Sequence, residues 1–318
     1  MTALLPQDVQ QVFDRFITTE YTTLDGKGQP IVWPVTPYYK PGDATIDVTT
    51  GLGYPKKADD AAANPKVALL FSDPTGCGLD GPPMVLVQGT AIVDDGDLDA
   101  NRERYAREAV EKLPATKDML PPEPMRRFLN WYFTRIYVKV RPERVWVWRR
   151  GHASEPELFD THLEEVRSGH DEEPDAALAG PREGDPVWDE RIDTLGSRYS
   201  SAVVSIVAPD GFPHAARVPV SVDRAAGRIR IDEPAEGVPL QPGLACLTAH
   251  EHDERFTYQQ NFQVRGDLVE DERGWSLVPA KLVGGFELPP GRVAALRANA
   301  KKSMRFRRIA KRELAKRT

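Results

Sequence analysis

The chain has 318 residues, 40% of them hydrophobic and 28% charged, which is the composition of a globular protein with about two domains. Its two cysteines, Cys77 and Cys246, lie far apart in the sequence, which excludes a disulfide framework and a zinc site built from several cysteines. No apolar run approaches the roughly 18 residues of a membrane span, and the first residues do not resemble a signal peptide. The sequence therefore predicts a cytoplasmic protein without a membrane span.

The net charge of −6 conceals a strong asymmetry. Residues 292–318 hold eleven Lys and Arg and one acidic residue, Glu313, so they carry +10 and leave −16 on the rest of the chain. An acidic body repels nucleic acid, so only the basic tail could contact the phosphates of a nucleic acid. An imperfect apolar stripe predicts a helix over 291–318, which either docks on the acidic body or contacts a membrane surface or nucleic acid.

The first 150 residues predict short strands with a few helices. Apolar residues at helical spacing predict helices over Gln7–Ile17, Lys56–Ala63, Leu98–Lys112 and Pro122–Asn130. Runs of β-branched and aromatic residues predict strands over Phe16–Leu24, Ile31–Lys40, Ala44–Thr50, Val67–Ser72, Met84–Asp94 and Ile136–Trp148. Many short strands separated by turns favour a barrel or a sandwich.

Residues 151–186 have the composition of a linker, with eleven Asp and Glu, two Arg and several Gly and Pro. Helical spacing predicts one short helix within it, over Glu157–Arg167, and the stretch His170–Pro186 predicts a loop. Residues 187–290 return to strands, predicted over Ser200–Ala208, His214–Asp223, Arg228–Asp232, Leu244–His250, Gln259–Glu270 and Ser276–Leu288. The expected organisation is one domain over 1–150, a linker over 151–186, a second domain over 187–290 and the basic helix over 291–318.

The two halves repeat one another in the order of their turns and strands. The turn Asp25–Pro30 separates the first two strands of one half, and Asp210–Pro213 separates those of the other. A Pro-Val pair follows in each second strand, and a glycine-containing strand follows later, as Gln88–Asp95 and as Arg265–Glu272. The pattern indicates a divergent tandem duplication of one small β domain; two unrelated β domains with common turn chemistry are the alternative.

The segment between the third and fourth strands carries the residues best suited to a ligand. Its strand ends in Thr49 and Thr50, passes through a Gly-x-Gly turn and opens a short helix with Lys56 and Lys57. A helix N-terminus offers free N–H groups and the positive end of a dipole, so hydroxyls and lysines placed there can hold a phosphate. A glycine turn with two solvated lysines is the alternative. The second half has neither the lysine pair nor the helix.

Taken in order along the chain, these features resemble the split β-barrel flavin-binding proteins related to pyridoxamine 5′-phosphate oxidase. The resemblance covers about residues 10–150 and, more weakly, 195–288. It lies in the turn Asp25–Pro30, the helix start Lys56-Lys57-Ala58, the strand Asn64–Leu70 and the strand Gln88–Ala91. The implied fold is mainly β, with two tandem split β-barrels that form a pseudo-dimer within one chain.

The resemblance implies a cofactor between two barrels, either FMN or the deazaflavin coenzyme F420. Carried over residue by residue, the phosphate site falls on Thr49, Thr50, Lys56 and Lys57. The strand that borders the cofactor ring falls on Trp33, Pro34, Val35 and Thr36, and a further cofactor contact falls on Gln88. The phosphate set of the family often includes an arginine, in whose place this sequence has lysines.

Members of the family are usually homodimers, and a duplicated chain can form the same interface within itself. Because the second half lacks the lysine helix, we expect one cofactor site. The second half would then supply a wall of the substrate pocket, with Arg217, Tyr258, Gln260 and Arg265 as candidates. Association of two such chains into a further homodimer stays open.

The implied function is that of a flavin- or deazaflavin-dependent oxidoreductase that passes a hydride between the cofactor and a small organic substrate. No side chain stands out as a catalytic acid, base or nucleophile, and His250 and His252 lack a clear third partner for a metal site. One alternative is a non-catalytic protein that carries the cofactor, or binds haem through His214, His250 or His252. Another is a cofactor-free module that acts through its basic tail.

Overall fold

The structure, a computed structural model, describes residues 5–114, 117, 122, 125–126, 129–160, 187–285 and 292–317. The helices of the first half are α1 (Gln7–Arg15), α2 (Lys56–Ala63), α3 (Leu98–Lys112) and α4 (Asn130–Phe133). Its strands are β1 (Thr19–Leu24), β2 (Pro30–Val35), β3 (Ile46–Gly51), β4 (Lys66–Phe71), β5 (Met84–Asp94), β6 (Arg135–Trp148) and β7 (Glu157–Asp160).

The second half begins with a single turn of 3-10 helix at Ile192–Thr194. Its strands are β8 (Ser201–Val207), β9 (Pro213–Asp223), β10 (Arg228–Ile231), β11 (Gly243–His252), β12 (Gln259–Asp271) and β13 (Gly274–Gly284). The described part of the chain ends with helix α5 (Arg292–Arg317).

Both halves have the same strand order. In the first sheet the neighbours run β2-β1-β4-β5-β6-β3, with β7 added beside β6. In the second sheet they run β9-β8-β11-β12-β13-β10, so every strand has its counterpart at the same place. The second sheet closes into a barrel because β9 pairs with β10, whereas an isolated bridge between Tyr38 and Asp47 links the ends of the first sheet. The chain is mainly β, with two barrel-like sheets of one topology in tandem.

A β-bulge recurs at the same place in both halves. The register between β5 and β6 shifts at Gly89, which lies opposite Pro142, and the register between β12 and β13 shifts at Gly266, which lies opposite Pro279. A Cβ atom on Gly89 would lie 2.2 Å from a carbonyl oxygen of β6, and one on Gly266 would lie 2.0 Å from a carbonyl oxygen of β13. Glycine is therefore required at both positions, because the neighbouring backbone comes too close for any side chain.

The two sheets pack against each other through the outer faces of equivalent strands. The buried contact consists of Val32, Ala68, Leu70, Leu86 and Trp148 from the first half and Val203, Ala215 and Cys246 from the second. Side chains of a strand alternate between its faces, so Val67, Leu69 and Phe71 of β4 fill the first barrel while Ala68 and Leu70 fill this contact. Burial on both faces explains why β4 is a continuous apolar run.

A charged cluster crosses the same contact. Glu20 of β1 is fully buried, and its Oε1 accepts hydrogen bonds from Ser72 Oγ (2.8 Å) and from Arg217 Nη2 (2.9 Å). The Nε2 atom of His250 lies 2.6 Å from the same oxygen. Burial alone raises the pKa of a carboxyl group, but the contact with His250 and the charge of Arg217 hold the pKa of Glu20 below its ordinary value. The second barrel thus supplies charge partners for a carboxylate of the first.

One predicted element is wrong where the structure describes it. Glu157–Asp160, predicted as the start of a helix, is strand β7 and extends the first sheet past residue 150. Leu158 is exposed while Phe159 packs against the first core, which is the alternation of a strand. The rest of that helix and the loop predicted over 170–186 lie outside the described residues. So does much of the helix predicted over 122–130, after which α4 begins at Asn130.

We expect Arg217→Met to lower the free energy of unfolding by about 3 kcal/mol, because it leaves a fully buried carboxylate without its guanidinium partner. Urea unfolding of the full chain, followed by tryptophan fluorescence, measures the change. Arg198→Met is the matched control, since Arg198 pairs with Glu251 at a half-exposed surface, where losing an ion pair costs less than about 1 kcal/mol. Equal losses in the two variants would mean that Glu20 does not depend on Arg217.

Candidate functional site

The turn predicted to hold a phosphate, Gly51–Pro55, joins β3 to α2 and packs against the backbone of α4. The N–H of Gly53 donates a hydrogen bond to the carbonyl oxygen of Trp131 (2.9 Å), and a Cβ on Gly51 would lie 2.8 Å from that oxygen. The two glycines of the Gly-x-Gly turn are therefore needed for a close approach to another segment of the protein.

The two lysines that open α2 have different surroundings. Lys56 is exposed and forms an ion pair with Asp60, one helical turn further on, at 2.8 Å. Lys57 is half-buried, and its ammonium lies 5.4 Å from the centre of the Tyr54 ring with no carboxylate within 4 Å among the residues described. Burial and the charge of Arg135 lower the pKa of Lys57 to about 8. Lys57 is thus the cation of this pair that has no counter-charge.

Arg135, which the sequence did not single out, completes the site. It stands opposite Gly51 in the pairing of β3 with β6, is buried, and donates hydrogen bonds to the hydroxyls of Tyr54 (2.9 Å) and Tyr105 (2.8 Å). Its guanidinium also stacks at 4.1 Å and 4.2 Å over the rings of Tyr105 and Tyr132. Its buried Nε has no hydrogen-bond partner within the described part of the chain. Two cations without a carboxylate therefore meet at the start of α2.

The remaining residues predicted for the phosphate have separate surroundings. Thr49 lies on the same face of β3 as Gly51, because strand residues two apart share a face. Thr50 is buried and donates a hydrogen bond to the carbonyl oxygen of Tyr54 (2.7 Å), so it stabilises the turn. The structure thus brings Thr49 and Lys57 to the side of Arg135, and engages Thr50 and Lys56 elsewhere.

The residues predicted to border the cofactor ring lie at and after the end of β2. Trp33, Pro34, Val35 and Thr36 are all half-buried, and Pro34 stands opposite Glu20 on the face toward the second barrel. Gln88 is buried in the contact between the barrels, where Nε2 donates to the carbonyl oxygen of Pro213 (2.9 Å) and Oε1 accepts from Trp146 (3.1 Å). Gln88 therefore joins the two barrels.

Helix α5 covers the same turn. The Phe306 ring stacks on Trp131, with centroids 5.3 Å apart, and meets the Tyr54 ring edge-on at 5.7 Å. At its other end Arg317 forms ion pairs with Asp59 of α2 (2.6 Å) and with Asp95 (2.9 Å). The basic helix thus docks along α2 on the acidic body, with Phe306 beside the cation pair.

The three histidines considered as haem ligands lie in the contact between the barrels. The His250 and His252 rings are nearly parallel, 6.5 Å apart, and face Glu20, Asp73 and Thr18 of the first barrel. His214 packs edge-on against Trp146, and burial lowers its pKa to about 4. Across the described ranges, no three His, Cys, Asp or Glu side chains come close enough together to hold a metal ion.

The second-half residues predicted for a pocket wall do not converge on the cation pair. Arg217 belongs to the Glu20 cluster, and Arg265 donates a hydrogen bond to Gln263 (2.6 Å). The hydroxyl of Tyr258 lies within hydrogen-bond distance of Gln260 (2.9 Å) and of Glu251 (2.7 Å). Arg217 lies on β9, Gln260 and Arg265 lie on β12, and Tyr258 directly precedes β12.

No protein-family model matches the chain, and no curated protein matches it. Among solved structures it is similar to an F420 reductase at 20% identity with a TM-score of 0.34, over 44% of this chain and 98% of that one. It is also similar to a Clostridium acetobutylicum protein named as related to general stress protein 26 and of the pyridoxinephosphate oxidase family (13% identity, TM-score 0.31, 48% and 92%). General stress protein 26 of Bacillus anthracis is a further match (17% identity, TM-score 0.31, 48% and 99%). These structural neighbours include the family that the sequence motifs resemble.

None of the described helices is both long enough and apolar enough to cross a membrane.

The lowered pKa of Lys57 predicts a pH dependence of stability. Its pKa is about 8 in the folded chain against 10.5 as the ordinary value, so between these values the unfolded chain binds more protons. The free energy of unfolding then rises with pH over that window. We expect the free energy of unfolding of Lys57→Met to rise less with pH, because the contribution of Lys57 is lost. Urea unfolding at a series of pH values from about 7.5 to about 10 measures this difference.

Lys56→Met is the matched control, because its exposed ammonium beside Asp60 is removed without changing the surroundings of Lys57. In this control we expect the free energy of unfolding to rise with pH as much as it does in the unsubstituted chain. The same rise in all three proteins would contradict a lowered pKa at Lys57.

Proposed function

We propose that this chain binds the phosphate of a flavin or deazaflavin cofactor at Lys57 and Arg135 and acts as an oxidoreductase on a small organic substrate. The observation that carries the proposal is the cation pair at the start of the eight-residue helix α2. Neither cation has a carboxylate partner within the described residues.

The proposal is supported by the unfavourable electrostatic free energy of two neighbouring cations. Two like charges close together in a partly dehydrated place destabilise a folded chain unless an anion neutralises them. A phosphate supplies that charge and accepts several hydrogen bonds at once, including one from the buried Nε of Arg135. The free N–H groups at the start of α2 and the hydroxyl of Thr49 add donors of the kind that phosphates use.

The cofactor class rests on the resemblance of the motifs together with this anion site. FMN and coenzyme F420 both carry a phosphate, so Lys57 and Arg135 suit either of them. The half-buried residues Trp33–Thr36 at the end of β2 are proposed to border the ring. When bound, such a cofactor supplies hydride transfer at its ring. The part of the protein is to anchor the phosphate, orient the ring and exclude water.

The hydroxyls of Tyr54 and Tyr105 have a positioning role in this proposal. Each accepts a hydrogen bond from Arg135, and Tyr105 also stacks beneath the guanidinium, so the group is held in one orientation. A fixed guanidinium binds phosphate with a smaller loss of side-chain entropy than a mobile one.

A non-catalytic carrier would use the same residues and would differ in turnover alone. Binding of the cofactor without reduction of any added electron acceptor would favour the carrier.

The proposal predicts which lysine holds the phosphate. We expect FMN or coenzyme F420 to bind the full chain at micromolar concentration and to bind Lys57→Met about 10-fold to 100-fold more weakly, the loss of one charge-assisted hydrogen bond. Lys56→Met, whose lysine already pairs with Asp60, should bind within about twofold of the unsubstituted chain. Fluorescence titration of each cofactor measures the affinities, and riboflavin, which has the flavin ring and no phosphate, is the control ligand.

Failure of both cofactors to bind would overturn the proposed function. Equal losses in Lys56→Met and Lys57→Met, or riboflavin binding as tightly as FMN, would overturn the assignment of the phosphate to the cation pair.

A further inference from the structure

A cavity of the described structure lies away from the cation pair. It has a volume of about 870 Å³, which is within the range of small-molecule sites. Its wall is made by the end of α1, the loop between β2 and β3, the side of α3, residues 76–78 and the second-barrel loop that carries Glu254 and Arg255. Segments of both halves therefore line this cavity, which is open to solvent on one side.

Five charged residues in the wall of this cavity pair with one another. Arg104 of α3 forms ion pairs with Asp47 (2.7 Å) and Glu108 (2.8 Å), and Lys40 pairs with Glu111 (3.3 Å). These ion pairs hold α3 against β3 and the loop before it, and their charges are already balanced within the protein.

Lys112, at the last position of α3, differs from them. It is half-buried in the cavity wall, and its ammonium donates a hydrogen bond to the backbone carbonyl oxygen of Asp14. No carboxylate oxygen lies within 4 Å of it among the described residues. Burial lowers the pKa of Lys112 to about 8, the charge of Asp14 opposes the shift, and the charge of Arg15 adds to it.

A lysine in this state has chemistry that an ordinary surface lysine lacks. At neutral pH a pKa of about 8 leaves a free-amine fraction more than about 100-fold larger than that of an unperturbed lysine. A free amine is a nucleophile toward carbonyl carbon, and enzymes that form imines place such a lysine in a partly dehydrated site.

We propose that this cavity binds a small aldehyde or ketone and that Lys112 condenses with it to form an imine. The amine nitrogen forms a bond to the carbonyl carbon, and the carbonyl oxygen leaves as water. The reaction needs no oxidant or reductant. Asp14 also lines the cavity, and its carboxylate is close enough to raise the pKa of Lys112, so it can carry the proton from the amine to the leaving oxygen. The proposal is independent of the cofactor site.

Two other lysines of the chain serve as internal controls for the reactivity of Lys112. Lys57 has a similarly lowered pKa but does not line the cavity, so it reports the effect of the pKa alone. Lys27 is exposed in the turn between β1 and β2 and reports an ordinary lysine.

The test is reductive trapping on the folded full-length protein. Propanal or benzaldehyde is added with sodium cyanoborohydride at neutral pH, and peptide mass spectrometry follows the label at each lysine. We expect Lys112 to be labelled at least about tenfold faster than Lys27, since the larger free-amine fraction outweighs the weaker nucleophilicity of a less basic amine. With benzaldehyde, Lys112 should also be labelled faster than Lys57, because an aromatic ring can bury apolar surface in the cavity beside Lys112.

Two variants complete the test. Lys112→Met should abolish the label on its own peptide and leave that of Lys57 unchanged. Asp14→Asn removes a charge that raises the pKa of Lys112, so it increases the free amine; slower labelling of Lys112 in spite of that would identify Asp14 as the proton carrier. If Lys112 is labelled no faster than Lys27, its amine is not unusually reactive. If Lys112 is labelled no faster than Lys57 with either aldehyde, the cavity does not bind the aldehyde.

Discussion

A single buried carboxylate constrains how the two barrels meet. Glu20 is fully buried, and leaving its charge unpaired there would cost more free energy than most other interactions at this contact could return. Its partners Arg217 and His250 come from two strands of the second barrel, so both strands have to lie within hydrogen-bond distance of β1. The apolar residues of the contact favour burial in any orientation, whereas this cluster accepts one orientation.

Hydrogen bonds from buried glutamine side chains to backbone carbonyl oxygens favour the same orientation of the two barrels. Gln29 donates from Nε2 to the carbonyl oxygen of Ala245 (2.9 Å), and Gln263 donates to that of Val32 (3.0 Å). These bonds run in both directions between the barrels. Gln88, which sequence motifs had placed at the cofactor, belongs to this set through its bond to Pro213.

Local patterns could be predicted from the sequence, and pairings between distant segments could not. Helices α2 and α3 have their predicted bounds because local residues set them: Pro65 disfavours a helical Asn64, and Asp97 accepts a hydrogen bond from the N–H of Ala100 as an N-cap. Strand β7 was missed because neighbouring Leu158 and Phe159 suit either element, and pairing with β6 decides between them. The sequence also gave no register between β3 and β6, and that register is what places Arg135 beside Gly51.

The same reasoning separates the two lysines of the candidate site. Adjacent helix positions point in directions about 100° apart, so one ammonium reaches Asp60 while the other turns toward Tyr54 and Arg135. Sequence spacing alone treats Lys56 and Lys57 as equivalent, and the fold around them makes one an ordinary surface ion pair and the other an uncompensated cation.

The two halves differ after their third strands, at the segment that carries α2 in the first half. After β10 the chain forms no helix; Ala235, Val238 and Leu240 turn into the second barrel instead. The backbone of this segment is used by the first barrel, since Trp148 donates to the carbonyl oxygen of Glu236 (2.9 Å) and the N–H of Glu236 donates to that of His152 (2.8 Å).

The corresponding segment of the first half is covered differently. The second barrel does not occupy it; helix α5 lies along α2, with Ala310 buried in the first core. The two halves share one strand order, but the segment after β10 forms part of the contact between the barrels, whereas the segment after β3 does not. In the first half this segment carries Lys57 beside Arg135, and Phe306 of α5 packs against Tyr54 next to them, so the basic helix is part of the surroundings of this cation pair.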